Sequence, residues 1–150
     1  MKIINRITTI LKQMVEDHNC ALASYQYNDK PTANIQLDRN MADPTALLIQ
    51  LTDWNLDWSK GMVREVANIN LSFLKKEPKL DAQGTEQETV IDEMKALAID
   101  FIRRLNEHRF SVRINDDTIK VRSVFMRSDS NRSGVNLQME IEEVRGECLL

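Results

Sequence analysis

Apolar positions between residues 85 and 107 recur with the period of an α-helix. At 100° per residue, Val90, Ile91, Met94, Leu97, Ala98, Phe101, Ile102 and Leu105 fall within an arc of roughly 140°. Such a stripe has to be covered by something apolar. Thr85 with Glu88 three residues later reads as a capping box, and Gly84 marks the break before it. Glu86, Glu88, Asp92 and Glu93 come first and Arg103 and Arg104 last, as the helix dipole favours. A second helix is expected over residues 2–17. There Ile3, Ile4, Ile7, Ile10, Leu11 and Met14 oppose Arg6, Lys12, Gln13 and Glu16. Its isoleucine-rich seam suits the protein's own sheet or a partner helix.

The remaining pattern has the period of strands. Residues 20–27 read as a strand with Ala21, Ala23, Tyr25 and Tyr27 on one face, followed by a short strand over 33–38. A long hairpin is expected from residues 47–58 and 62–74 around Ser59-Lys60-Gly61. Far from its turn the apolar residues are odd-numbered: Leu47, Ile49 and Leu51, then Ala67, Ile69, Leu71 and Phe73. Near the turn they are even-numbered: Trp54, Leu56, Trp58, then Met62 and Val66. Because strand side chains alternate faces, this change of parity moves the apolar surface to the other side. Either a bulge near Thr52-Asp53 realigns it within one core, or the hairpin tip lays Trp54, Leu56, Trp58 and Met62 on a neighbouring subunit.

Residues 75–84 read as a charged connection rather than a domain boundary, since neither flank is large enough to fold comfortably alone. After the central helix a three-stranded meander is expected over 110–114, 119–127 and 135–144. Centring its second turn on residues 128–134 sets Val121 opposite Ile141, Ser123 opposite Met139 and Phe125 opposite Leu137. On the other face Lys120 would meet Glu142 and Arg122 would meet Glu140, while the first turn would pair Ile114 with Ile119 and Val112 with Val121. The expected architecture is α+β: antiparallel sheet with a long hairpin and a closing meander, packed by two amphipathic helices, in one domain over residues 1–150.

Composition narrows the functional classes. A net charge of -3 disfavours a dedicated nucleic-acid binder, which would be basic. The stretch from Arg103 to Arg132 is locally positive through Arg103, Arg104, Arg109, Arg113, Lys120, Arg122, Arg127 and Arg132, but it lacks interleaved aromatics for base stacking. Glu140 and Glu142, in the register above, would neutralise half of it. Two cysteines, Cys20 and Cys148, make neither a disulfide framework nor a metal-ligand spacing, and they suit a reducing cytoplasm. The N-terminus has no signal-peptide pattern, and no stretch reaches the length of a membrane span. His18 and His108 each follow a predicted helix, where the dipole favours them. Asp53 and Asp57 share a strand face beside Trp54 and Trp58, where a general acid–base pair is conceivable, but solvated strand edges also produce such pairs. With no phosphate loop, nucleophile elbow or metal motif, no catalytic, cofactor or metal residue is assigned, and a non-enzymatic protein is expected.

Three stretches, ALLIQLTDWNLDWS, VANINLSFLKK leading to ALAIDFIRRLNE, and SGVNLQMEIEEVRGECLL, in this order of elements, give a layout that resembles the tail-terminator and tail-completion proteins of tailed bacteriophages. The resemblance covers most of the chain and rests on layout rather than on a diagnostic motif. It implies an α+β subunit acting in virion assembly in the host cytoplasm. Such a subunit forms a ring with itself, commonly of six, and meets a tail tube or neck protein; the resemblance brings no catalytic residues. A non-catalytic adaptor or regulatory interaction domain fits the same pattern.

Overall fold

The computed structural model describes residues 2–28, 42–49, 54–59, 62–76, 84–108, 112–126 and 132–143. Helix α1 spans Lys2–Glu16 and α2 spans Gly84–Asn106, each within a residue or so of the span its apolar period predicts. The strands are β1 (Ser24–Asn28), β2 (Thr45–Ile49), β3 (Trp54–Ser59), β4 (Met62–Lys76), β5 (Val112–Ile114), β6 (Lys120–Met126) and β7 (Arg132–Glu143). All seven join one sheet, in the order β1-β2-β4-β7-β5, with β3 also on β4 and β6 also on β7. The fold is α+β. Every pairing is antiparallel except that of β1 with β2.

Both helices cover one face. Ala67, Ile69, Leu71 and Phe73 of β4 and Val135, Leu137, Met139 and Ile141 of β7 are buried beneath Val90, Met94, Leu97, Ala98, Phe101 and Leu105 of α2. Alternation on a two-residue period is what gives a sheet one apolar face, and here it runs unbroken through both central strands. The Phe73 and Phe101 rings meet at 6.2 Å between centroids, tilted by 55°, fastening the helix to the sheet. Ile3, Ile7, Ile10, Leu11 and Met14 of α1 belong to the same core. The isoleucine seam is therefore used within the chain.

Several expected pairings differ. Strand β6 lies four residues further along β7 than centring on residues 128–134 predicts: Val121 pairs with Leu137, Ser123 with Val135 and Phe125 with Ser133. Lys120 and Arg122 consequently lie opposite Gln138 and Asn136, not Glu142 and Glu140. A shift by an even number keeps every residue on its face, so alternation alone does not separate the two registers. Strand β5 pairs with β7 rather than with β6, through Val112↔Glu143, Arg113↔Glu142 and Ile114↔Ile141. The expected meander is instead a single interrupted edge along β7, its two parts joined by a 3-10 turn at Asp116–Thr118.

The hairpin's change of parity is also corrected. Ala46 pairs with Phe73 and Leu48 with Leu71, while Leu47 pairs with Ser72 and Ile49 with Asn70. The odd-numbered residues of β2 thus share no face with Ile69 or Leu71. Ala46, Leu47 and Leu48 are all buried, so β2 is covered on both sides and its run of apolar residues reflects double burial, as in interior strands. Leu74, on the face away from the helices, is buried as well. The first strand begins at Ser24 rather than residue 20; Ala21 is exposed and Leu22 is buried ahead of it. The strand expected over 33–38 lies outside the described residues, as does the connection over 77–83.

Candidate functional site: a hairpin arm and the cleft at its base

Strand β4 is longer than its neighbour β7. Their ladder ends at Val66↔Glu142, whereas β3 accompanies β4 to its beginning, through Trp54↔Ala67, Leu56↔Glu65, Trp58↔Val63 and Ser59↔Met62. Beyond Val66 the described sheet narrows to two strands. The resulting arm carries both tryptophans of the chain. Two strands alone are marginally stable in water, so an arm of this kind gains from a further surface.

The register separates the four residues expected at the tip. Trp54, Leu56 and Trp58 occupy positions in line with Ala67 in the strand alternation, and so with Ala46 and Leu48 on β2. Met62 and Val66 belong to the alternate set, paired with Ser59 and Asn55. The described pairs on either side of the expected bulge at Thr52-Asp53 are Ile49↔Asn70 and Trp54↔Ala67, and the even-numbered residues of β2 and β3 share one face. Residues 50–53 lie outside the described residues, and so do the side chains of Trp54, Leu56, Asp57, Trp58 and Met62. The Asp53–Asp57 carboxylate pair is therefore not placed, and the capping box falls in the same position through the Thr85 side chain.

At the base of the arm, on the face away from the helices, an open cleft of about 400 Å³ is lined by Arg113, Asn115, Asp116, Asp117, Glu140 and Glu142, among others. The interrupted edge creates it. Asn115 donates its backbone N–H to the Glu140 carbonyl at 3.0 Å and its side-chain amide to Glu140 Oε2 at 3.3 Å. The Thr118 hydroxyl accepts the Glu140 N–H at 2.9 Å while donating to the Asn115 carbonyl at 2.7 Å. Thr118 thereby replaces a ladder bond that a regular strand would supply. Four carboxylates against one guanidinium give the cleft an excess of negative charge. Among the described residues, no group of three or more His, Cys, Asp and Glu side chains is placed to hold a metal ion.

The basic stretch does not form one surface. Arg104 donates from Nη2 to Asp17 Oδ2 at 2.7 Å and from Nε to Asp100 Oδ2 at 3.1 Å, clamping the end of α1 to α2. Arg103 lies 3.8 Å from Asp100, and Arg113 stands opposite Glu142 across the β5–β7 ladder. Lys120 and Arg122 are exposed on β6 beside amides. Arg132 is 0% exposed, and its Nε, Nη1 and Nη2 have no hydrogen-bond partner. Arg109 and Arg127 lie outside the described residues. His108 accepts a hydrogen bond at Nδ1 from Arg6 Nη1 at 3.5 Å, linking α1 to the residues just after α2, and His18 is exposed.

The clamp has an electrostatic signature. The hydrogen bond from Arg104, aided by the Asn19 backbone N–H, holds the Asp17 carboxyl below the usual carboxylate range. Burial raises the Cys20 thiol, whose Sγ lies 3.7 Å from Asp100 Oδ2, so the thiolate is disfavoured. A carboxylate with a lowered pKa stabilises the fold above its unfolded value of about 4, and that contribution disappears as pH falls through the lowered value. Asp17→Asn should therefore cause a small drop in melting temperature at neutral pH. The gap from wild type should narrow below about pH 4 and close in stronger acid. A gap independent of pH would assign Asp17 a packing role instead.

No helix among the described residues is long and apolar enough to cross a membrane. Comparison with models of known protein families and with curated proteins gave no match.

Proposed function

We propose that the protein is a non-enzymatic structural subunit that works by assembling with itself into a ring, in the manner of the phage tail-completion proteins its layout resembles. The observation that carries this reading is the two-stranded arm, which reaches past the β4–β7 ladder and bears Trp54, Leu56 and Trp58 at alternate positions. Tryptophan is enriched among residues that dominate interface energetics. A heterologous contact between the arm of one subunit and a different surface of the next closes into a ring when the rotation between them permits. A closed ring has no free contact of that type left, so it stops growing at a fixed number of subunits. The docking face then belongs to a tail tube or neck protein.

Native mass by light scattering over a wide concentration range tests the proposal. A discrete ring-sized particle is expected. Trp58→Asp should weaken its assembly at least tenfold while circular dichroism keeps the helical signal. Loss of the helical signal would make Trp58 part of the subunit's core. A single small particle at every concentration, unaffected by the substitution, would favour an adaptor domain.

A further inference from the structure

Strand β6 is the outermost strand on its side of the sheet, and no described strand pairs with its far edge. Val121, Ser123 and Phe125 lie opposite Leu137, Val135 and Ser133, which are buried, yet Val121 is 40% and Phe125 47% exposed, with Ser123 exposed between them. An edge strand of seven residues with two large apolar side chains on one face is a template for pairing with another strand, a hazard that proteins usually blunt.

The order of residues on this edge is self-complementary. Set antiparallel to a second copy with the two-fold axis at Ser123, Val121 faces Phe125 of the second copy and Phe125 faces its Val121. On the opposite face Arg122 meets Val124 and Lys120 meets Met126, so no cation stands directly opposite a cation. Moving the axis to Arg122 would put two guanidinium groups face to face, and moving it to Val121 would oppose Arg122 with Lys120. Moving it to Val124 would pair Phe125 with serine. Among these centres, only Ser123 joins the exposed apolar residues to one another and keeps the charges apart. We infer that β6 pairs with β6 of a second copy about a two-fold axis at Ser123, continuing the sheet across the dimer.

This contact is independent of the proposed ring. A two-fold interface is complete at two copies, whereas a ring needs a head-to-tail contact. The two Arg122 side chains would lie diagonally, about 7–8 Å apart, so their repulsion is screened and the dimer strengthens from low to moderate salt.

Position-specific cross-linking under mild oxidation tests the register, with the wild-type chain as background. Cα atoms directly opposite in an antiparallel pair are about 4.5–5.5 Å apart, within disulfide range, and diagonal positions are not. Ser123→Cys should yield a covalent dimer at least tenfold faster than Arg122→Cys, and Trp58→Asp should leave that cross-link unchanged. Val121→Lys and Phe125→Glu should each weaken dimerisation tenfold or more. Combined in one chain, they should restore it, because each lysine would then face a glutamate. Equal cross-linking rates at the two positions, no rescue by the double substitution, or a native mass unaffected by Val121→Lys would overturn the inference.

Discussion

Gly134→Ala should destabilise the protein by about 2–3 kcal/mol, the upper range for an overpacked position. Gly134 lies opposite Leu74 in the long β4–β7 ladder that forms the middle of the sheet. A Cβ built at residue 134 would fall 1.9 Å from the Phe73 carbonyl oxygen, 2.9 Å from its carbonyl carbon and 3.1 Å from Leu74 Cα. All three contacts are to backbone, so no side-chain rotation relieves them and the strands have to separate. Phe73 is also the residue that stacks against Phe101 of α2, so displacement here loosens the attachment of helix to sheet. The sign is diagnostic. At an unconstrained strand position, replacing glycine by alanine ordinarily stabilises by about 0.4–1 kcal/mol through the unfolded chain. Urea denaturation should show the midpoint falling, and by the usual scaling for a domain of this size the melting temperature should drop by about 4–12 °C. A midpoint equal to or above that of wild type would mean that the close approach of Phe73 is absent in solution.

Two residues earlier on the same strand, the expected effect has the opposite sign. Arg132→Met should raise stability by about 1–4 kcal/mol, the range seen when buried charged groups are replaced by apolar side chains of similar size. A guanidinium keeps its charge at any ordinary pH, so removing it from water carries an unavoidable penalty. Hydrogen bonds or a counter-charge would offset that penalty, and among the described residues none hydrogen-bonds to the Arg132 guanidinium. Methionine retains much of the aliphatic stem and adapts to an irregular space. The check is again the urea midpoint, at two salt concentrations, since a buried charge is poorly screened and the gain should persist at both. A loss of stability would show that an anionic group meets Arg132 in the folded protein.

Gly134 and Arg132 also mark where reading the sequence stops. Glycine at 134 reads as part of a polar turn, because its strand role depends on how closely the Phe73 carbonyl approaches. Arg132 reads as one of eight basic residues in a positive stretch, and only the packing distinguishes it from the exposed Lys120 and Arg122. The candidate arm is a mixed case. Its tryptophan spacing is visible in the pattern, whereas its reach past β7 depends on where β7 ends against β4. The cleft at its base has no sequence signal of its own, since Arg113, Asn115 and Glu140 meet only because β5 joins β7 directly.

What the sequence by itself determined is local and periodic. Helices α1 and α2 close their hydrogen bonds within the segment and expose one face to the core, so a 3.6-residue period is sufficient to place them. The inward residues of β4 and β7 follow from alternation in the same way. Tertiary structure decided which strands meet and in what register. The parallel pairing of β1 with β2, the capture of β5 by β7 and the four-residue shift of β6 all preserve the local pattern, so the pattern carries no information about them. Competition among distant segments for the two edges of β4 and β7 settles those choices. It also settles the double burial of β2 and the burial of Arg132, for burial depends on everything that packs against a residue and not on its neighbours in the chain.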